Sequence, residues 1–449
     1  MHIPLTSSAN AGSDPIKIAI CGGGIGGLSL AYMLQKNSNI DVQVYEATSH
    51  FEEVGAGLTV WPRTLRILRM VGLKDGYSDL ATFPPPEASN LAYDFRKSDQ
   101  PEEGHVYFER QVPGGLTSFH RAHLLDLFAK KVPTKNCHFK KRLQCYEQTE
   151  DHVTLYFADG TQATCDALIG CDGVHSAVRK RVLKEKLLYE EDDSRRKELT
   201  ECLNPIWSHT NAWRSLIPMS VLKAVAPDHP ATKRPQIYCG TRQHAVVYPI
   251  AKHTLINFVG CNREPNEEGT YDALYALPPS KEDVDKMYAD WEPDLQILLT
   301  CITTITRWPI HYLKPLPSWT EGRVTLLGDA AHAMAPHCAA GAGMAIEDSF
   351  LLSTLLRHSM VSKVTLPSVL RAYDKVRRGR SEHVMEASEY CGFIYHFVGK
   401  NEDELDLLGP EIARHTEWIM SFDPVQDVEV AIGHMMNYIF DDCRSVHKT

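Results

Sequence analysis

The chain has 449 residues, 43% hydrophobic and 23% charged, with a formal net charge of −10, enough for two or three domains or sub-domains around a large core. That acidic balance argues against nucleic acid or an anionic membrane surface as the main partner. No apolar run reaches bilayer length, so a soluble, cytoplasmic protein without stable membrane insertion is expected, of unknown oligomeric state.

Residues 1–15, MHIPLTSSANAGSDP, lack the basic start and apolar core of a secretion signal and are expected as a flexible leader. The twelve cysteines show no CxxC pair and no Cys/His cluster at ligand spacing, which predicts reduced thiols.

IKIAICGGGIGGLSLAYMLQ then reads as strand, glycine turn and helix. Gly22, Gly24 and Gly27 hold G-x-G-x-x-G spacing. The first glycine allows the turn, the second lets a pyrophosphate approach the backbone, and the third packs helix on strand. A second strand, VQVYEA, ends in Glu46, placed to accept hydrogen bonds from ribose hydroxyls. An adenine dinucleotide is expected here.

Between Asn204 and Cys261, TNAWRSLIP, PQIYCGTRQHAVVYPI and HTLINFVGC alternate as strands. They predict an antiparallel sheet inserted between the halves of the nucleotide-binding domain, roofing a substrate cavity. On it Arg214 can clamp a carboxylate or phenolate, and His244 and Tyr248 share one strand face. These residues would equally suit a surface ion pair, a rim histidine and a tyrosine in a wet core.

Near the end, RVTLLGD is a buried strand closing on Asp329, and GAGMAIEDSFLLSTLL is a helix beginning near Ala342. Asp329 could bond a sugar-alcohol hydroxyl, while the helix N-terminus points positive charge at a ring that becomes anionic on reduction. Gly341, Ala342 and Gly343 leave room for an isoalloxazine. Pro336 approaches the same ring, and His337 could reach the substrate; His332 and Glu347-Asp348 are assigned to structure. A metal site from Asp329, His332 and His337 lacks a fourth ligand, so none is expected. Beyond lies a long amphipathic helix whose Arg377, Arg378 and Arg380 read as a solvated face, then a helical tail with Trp418 and Phe422 packing back on the core.

With GGGIGG and Glu46, HRAHLLDLF, DALIGCDGVHSAVR and RVTLLGDAAHAMAPHCAAGAGMAIED, the chain resembles the single-component FAD-dependent aromatic hydroxylases (group A flavoprotein monooxygenases), in the salicylate hydroxylase and 6-hydroxynicotinate 3-monooxygenase branch. The resemblance implies an α/β fold: a Rossmann-like FAD-binding domain over 16–203 and 262–375, a substrate-binding β-sheet over 204–261 and a helical C-terminal region over 376–449. It implies that Glu46 binds the FAD ribose and Arg121 the pyrophosphate or ribityl region. Asp172 would lie in the motif tied to both FAD and the nicotinamide pyrophosphate, and Asp329 would hold the ribityl chain. Residues 341–343 would face the flavin N1/C2 edge, and Gly55 to Gly57 would form a glycine-rich strand beside the ribityl chain. Arg214, Tyr248 and His244 would line the substrate pocket.

The implied activity is hydroxylation of a phenolic aromatic substrate with NADH or NADPH and O2, through a C4a-hydroperoxyflavin, with loss of CO2 where the attacked carbon bears a carboxylate. Two departures from the pattern stand out: Ala340 where relatives often carry Gln, and Trp61-Pro62-Arg63-Thr64 where they often carry Pro-Asn. These keep open a flavin monooxygenase acting on a larger secondary metabolite by hydroxylation, epoxidation or dearomatisation. A flavin-binding redox sensor is the third reading.

Overall fold

The computed structural model describes residues 14–52, 57–82, 91–264, 279–398, 404–421 and 423–446. Of the expected leader, only residues 14 and 15 fall among them; Gly55 and Phe422 lie outside.

The strand Ile16–Cys21 is apolar on both faces because it is central in a six-stranded sheet, covered on both sides. Its neighbours are Ile40–Tyr45 and Ala167–Gly170, both parallel to it; Val324–Leu326 continues the parallel set. The helix Ile25–Leu34 follows the glycine turn and is buried almost throughout. It packs against Gly341–Leu356, where Ser29 Oγ donates to Ser349 Oγ at 2.8 Å. The chain therefore leaves four parallel strands at one edge of the sheet, at Gly22, Glu46, Asp172 and Asp329. In open α/β sheets that carboxyl edge is where ligands bind.

A second sheet of seven strands runs Thr306–Tyr312, Ile206–Pro218, Leu255–Arg263, Gln243–Ile250, Gln236–Gly240, Leu91–Lys97 and His105–Gln111. It extends beyond the expected 204–261 because strands from elsewhere in the chain are added at both sides, so Thr306–Tyr312 and His105–Gln111 form its edges. One junction, Gln236–Gly240 with Leu91–Lys97, is parallel in an otherwise antiparallel sheet. One face buries Trp213, Tyr238, Val247 and Phe258 under the helices Lys281–Met287 and Pro293–Thr300. By register, the other carries Arg214, His244, Tyr248 and Asn257.

The helix Leu366–Tyr395 runs unbroken through the expected 375/376 boundary. Arg377 is not on a solvated face: it is 1% exposed. Its Nε donates to Asp348 Oδ1 at 2.7 Å and its Nη1 to Glu347 Oε2 at 3.2 Å. Arg380 also reaches Glu347 with its side chain 6% exposed, and Arg378 pairs with Asp374 and Glu382 on its own helix. The helical pattern was read correctly, but carboxylates on the neighbouring helix turn its basic face inward. Trp418 packs in a second hydrophobic cluster with Trp61, Tyr93 and Tyr395, and Val428, Ala431, Met435 and Ile439 of the helix Pro424–Val446 join the main core.

Candidate active site

The glycine turn is a backbone cradle. Gly22 has φ +108, and a Cβ there would lie 2.1 Å from the Cys171 carbonyl oxygen. A Cβ on Gly27 would lie 2.0 Å from the Gly22 oxygen. Gly24 precedes the helix with no capping side chain, so first-turn N–H groups face outward for an anion. Glu46 accepts from Gly23 N at 2.7 Å through Oε2 and from Thr48 N at 2.8 Å through Oε1. Those bonds orient the carboxylate and leave it lone pairs for sugar hydroxyls. The residues present therefore fit a dinucleotide.

Asp172 turns both oxygens onto the next helix, accepting from Ser176 Oγ, Ala177 N at 2.7 Å and Val178 N. Burial raises its pKa, opposed by those hydrogen bonds. Its observed contacts are those of a helix cap beside the glycine turn. Asp329, in contrast, is exposed at the start of a short helix after Gly328, which has φ +64. Gly341 lies across from it, its Cβ position 3.9 Å from Asp329 Oδ1. Asp329, His332 and His337 do not converge: His332 Nε2 pairs with Asp348 Oδ2 at 2.6 Å, whereas His337 packs against His244.

The helix Gly341–Leu356 begins with small residues, half-buried at Gly341 and Ala342. The turn Pro336–Cys338 ahead of it is held from two sides. Trp61 Nε1 donates to Cys338 O at 3.0 Å, Ser388 Oγ donates to Ala335 O at 2.6 Å, and Cys338 N donates back to Ser388 Oγ at 3.1 Å. Pro336 is left exposed. The WPRT departure thus has a structural account. Trp61 clamps this turn and packs with Ala340, Thr64 stands where a Cβ on Gly343 would be 2.8 Å from its Oγ1, and Arg63 Nε donates to Glu347.

On the open sheet face, Arg214 sits in the register row between those of His244 and Tyr248. Its Nε is buried without a hydrogen-bond partner among the described residues. Burial, then the nearby Arg121 charge, lowers its pKa, while Tyr248 opposes the shift. Tyr248 is pushed up to about 12, mainly by burial, against Arg214, a hydrogen bond to Thr59 and Arg121. Gly57 lies directly beneath, its Cβ position 2.7 Å from Tyr248 Oη. Arg121, Arg214, Tyr248 and Gly57 therefore meet at one end of the face. Thr59, Tyr93 and Asn257 join them, with Tyr93 Oη 3.5 Å from Thr59 Oγ1 and Gly57 N donating to Asn257 Oδ1. Sequence reading missed these three, although the register of the short hairpin that sets Asn257 opposite Tyr248 could have found Asn257.

His244 and His337 meet elsewhere on that face. Their ring centroids are 5.3 Å apart, and His396, from the end of the long helix, completes a trio 4.6 Å from His244. Burial lowers all three pKa values, that of His337 to about 4 with Arg263 adding to the effect. His337 and His396 also wall a cavity of about 320 Å³ that includes Trp207, Arg263, Lys314 and Met385, within the size range of small-molecule sites.

A family model described as FAD binding domain matches residues 15–205 and 279–388. The chain belongs to that family. This FAD-binding-domain protein is 33% identical over 434 residues to a salicylate hydroxylase of Pseudomonas putida, covering 94% of this chain and 95% of that one. It is 34% identical over 402 residues to the 6-methylsalicylate 1-monooxygenase atA of Aspergillus terreus, covering 87% and 85%. A salicylate hydroxylase substrate complex superposes with a TM-score of 0.81 at 27% identity, covering 93% and 98%. The protein is an FAD-dependent monooxygenase of the salicylate hydroxylase type, and FAD is its cofactor. Among the described residues no helix is long and apolar enough to cross a membrane.

Proposed function

We propose that this monooxygenase hydroxylates a phenolic aromatic acid, using NAD(P)H and O2, with the acid held between Arg214 and Tyr248. The observation that carries this reading is the buried Arg214 Nε, a donor without a partner among the described residues, beside a second guanidinium, Arg121. A buried cationic donor left open in this way suits a carboxylate or phenolate, which would satisfy it and offset its desolvation.

Bound FAD would supply the redox chemistry, taking electrons from NAD(P)H and activating O2. The chain's contribution is binding and orientation. Gly22, Gly24 and Gly27 would take the pyrophosphate, Glu46 the ribose, and Asp329 the ribityl hydroxyls. Arg121 would lie over the phosphate–ribityl region. Residues 341–343 and Pro336 would abut the ring, with helix N–H groups aimed at its anionic edge. Asp172 would act on the nucleotide through the turn it buttresses.

On the substrate side, Tyr248 keeps its proton near neutral pH. It would therefore donate to a substrate oxygen rather than accept from one, stabilising the phenolate that makes the ring electron-rich. Closure of the site around the bound acid would keep water from the reacting centre.

A second reading, oxidation of a larger secondary metabolite, is favoured by the cavity behind His337 and His396, which offers room beyond a single ring. The deciding experiment measures NADH and NADPH oxidation by the FAD-loaded protein with a panel of hydroxybenzoates, following product and CO2 by mass. Oxidation stimulated by one acid, with product gaining oxygen or exchanging carboxyl for hydroxyl, supports the proposal. Slow oxidation that no acid accelerates, yielding only hydrogen peroxide, refutes it.

A further inference from the structure

The histidine trio, in which His337 is half-buried, contains one short polar contact, His244 Nδ1 to His396 Nε2 at 2.6 Å. His244 and His396 are each 1% exposed. The charged or titratable groups acting on them are His337 and Arg263, with no carboxylate among them, and Tyr395 packs edge-on against His244. Both rings are therefore neutral, each with one N–H, and a nitrogen–nitrogen contact this short needs one proton between them.

Two arrangements are available. If His244 donates from Nδ1, the proton of His396 must sit on its own Nδ1, which is buried without a partner among the described residues, although His396 lines the cavity. If His396 donates from Nε2, its Nδ1 keeps only a lone pair. In the second arrangement the remaining N–H is His244 Nε2, which is not among the buried atoms left without a partner, whereas His396 Nδ1 is. Orphaned buried N–H groups are rarer than under-used acceptors, so the second arrangement is favoured. The hydrogen bond at one imidazole nitrogen sets the state of the other.

We propose that His396 is a positioning residue that holds His244 in the tautomer with its proton on Nε2. His244 then presents a donor on the face it shares with Arg214 and Tyr248. It can bind an anionic or carbonyl oxygen of a ligand, and it is not the base that removes a phenol proton. The consequence for the substrate rests on the function proposed above; the tautomer does not.

The test uses FAD-loaded full-length protein labelled with [15N]histidine. Long-range 1H–15N correlations separate Nδ1–H from Nε2–H imidazoles, and the His244 signals are those lost in His244→Asn. The wild type, which needs no variant to fold, is expected to show the Nε2–H form; the Nδ1–H form overturns the proposal. His396→Phe keeps a ring and removes its nitrogens. It should abolish the single-tautomer pattern and weaken salicylate binding, read from the flavin absorbance change, by about ten-fold or more. An unchanged His244 pattern in His396→Phe overturns the positioning role. If no hydroxybenzoate perturbs the wild-type flavin, the proposed function fails, and the tautomer measurement still decides this inference.

Discussion

Replacing Arg214 by Met should move stability and binding in opposite directions. Met keeps an unbranched stem but removes a guanidinium whose Nε is buried without a partner among the described residues and whose charge lies near Arg121. Relief of one unsatisfied buried donor is worth about 1–3 kcal/mol. With an unfolding entropy near 2.1 cal/mol/K per residue over 449 residues, about 0.9 kcal/mol/K in total, that raises Tm by roughly 1–3 °C. Loss of a buried charged hydrogen-bond partner costs a carboxylate ligand about 2–5 kcal/mol, roughly thirty-fold to several-thousand-fold in Kd. Thermal melts of the FAD-loaded protein and flavin absorbance titrations with salicylate measure both quantities. Salicylate should raise the wild-type Tm through mass action and leave that of Arg214→Met nearly unmoved. A variant that melts lower than wild type and binds salicylate equally well would show that Arg214 is a structural residue, and the reasoning fails.

Gly27→Ala places a methyl 2.0 Å from the Gly22 carbonyl oxygen, a backbone atom that cannot swing away. Overpacking of about 1–3 kcal/mol predicts roughly five- to 150-fold weaker FAD binding, read as the flavin-to-protein absorbance ratio after dialysis; full retention of FAD contradicts it. The buried histidines predict acid lability. Burial, with Arg263, holds His337 near 4 against an ordinary 6.5, and His244 and His396 are shifted the same way. The unfolded chain takes up these protons first, so stability present above about pH 6.5 is lost as pH falls toward 4. Melts from pH 8 to 5 should show this slope, flattened in His337→Asn; parallel slopes count against it.

The nucleotide end was readable because its signals are local: three glycines within six positions, Glu46 at the next strand end, and an acid at the close of RVTLLGD. Strand parity likewise put His244 and Tyr248 on one face; that Arg214 shares it follows only from the register of the sheet. Contacts between distant segments were not readable. Tyr93 arrives on a strand that pairs with Gln236–Gly240 from far upstream, and His396 meets His244 across 152 positions. Arg377 looked solvated because a helical period shows that residues share a face, not which neighbour covers it. WPRT was visible as a departure, but its partners, Cys338, Glu347 and Gly343, lie nearly three hundred residues away.

Arg63, Glu347, Arg377, Asp348 and His332 form one buried chain of charged and polar groups, with Gly328 N also donating to Asp348. It links the helix Pro62–Met70, which follows the Gly57 strand, to two further helices and to the Asp329 segment, so these parts cannot be exchanged singly. A chimera that imports a relative's Pro-Asn turn would deprive Glu347 of Arg63, and truncating the long helix before Arg377 would leave both carboxylates short of countercharge. Breaking such a buried pair costs about 3–5 kcal/mol. Anyone recombining this scaffold should therefore place crossover points so that residues 61–64 and 347–348 travel with the helix that carries Arg377.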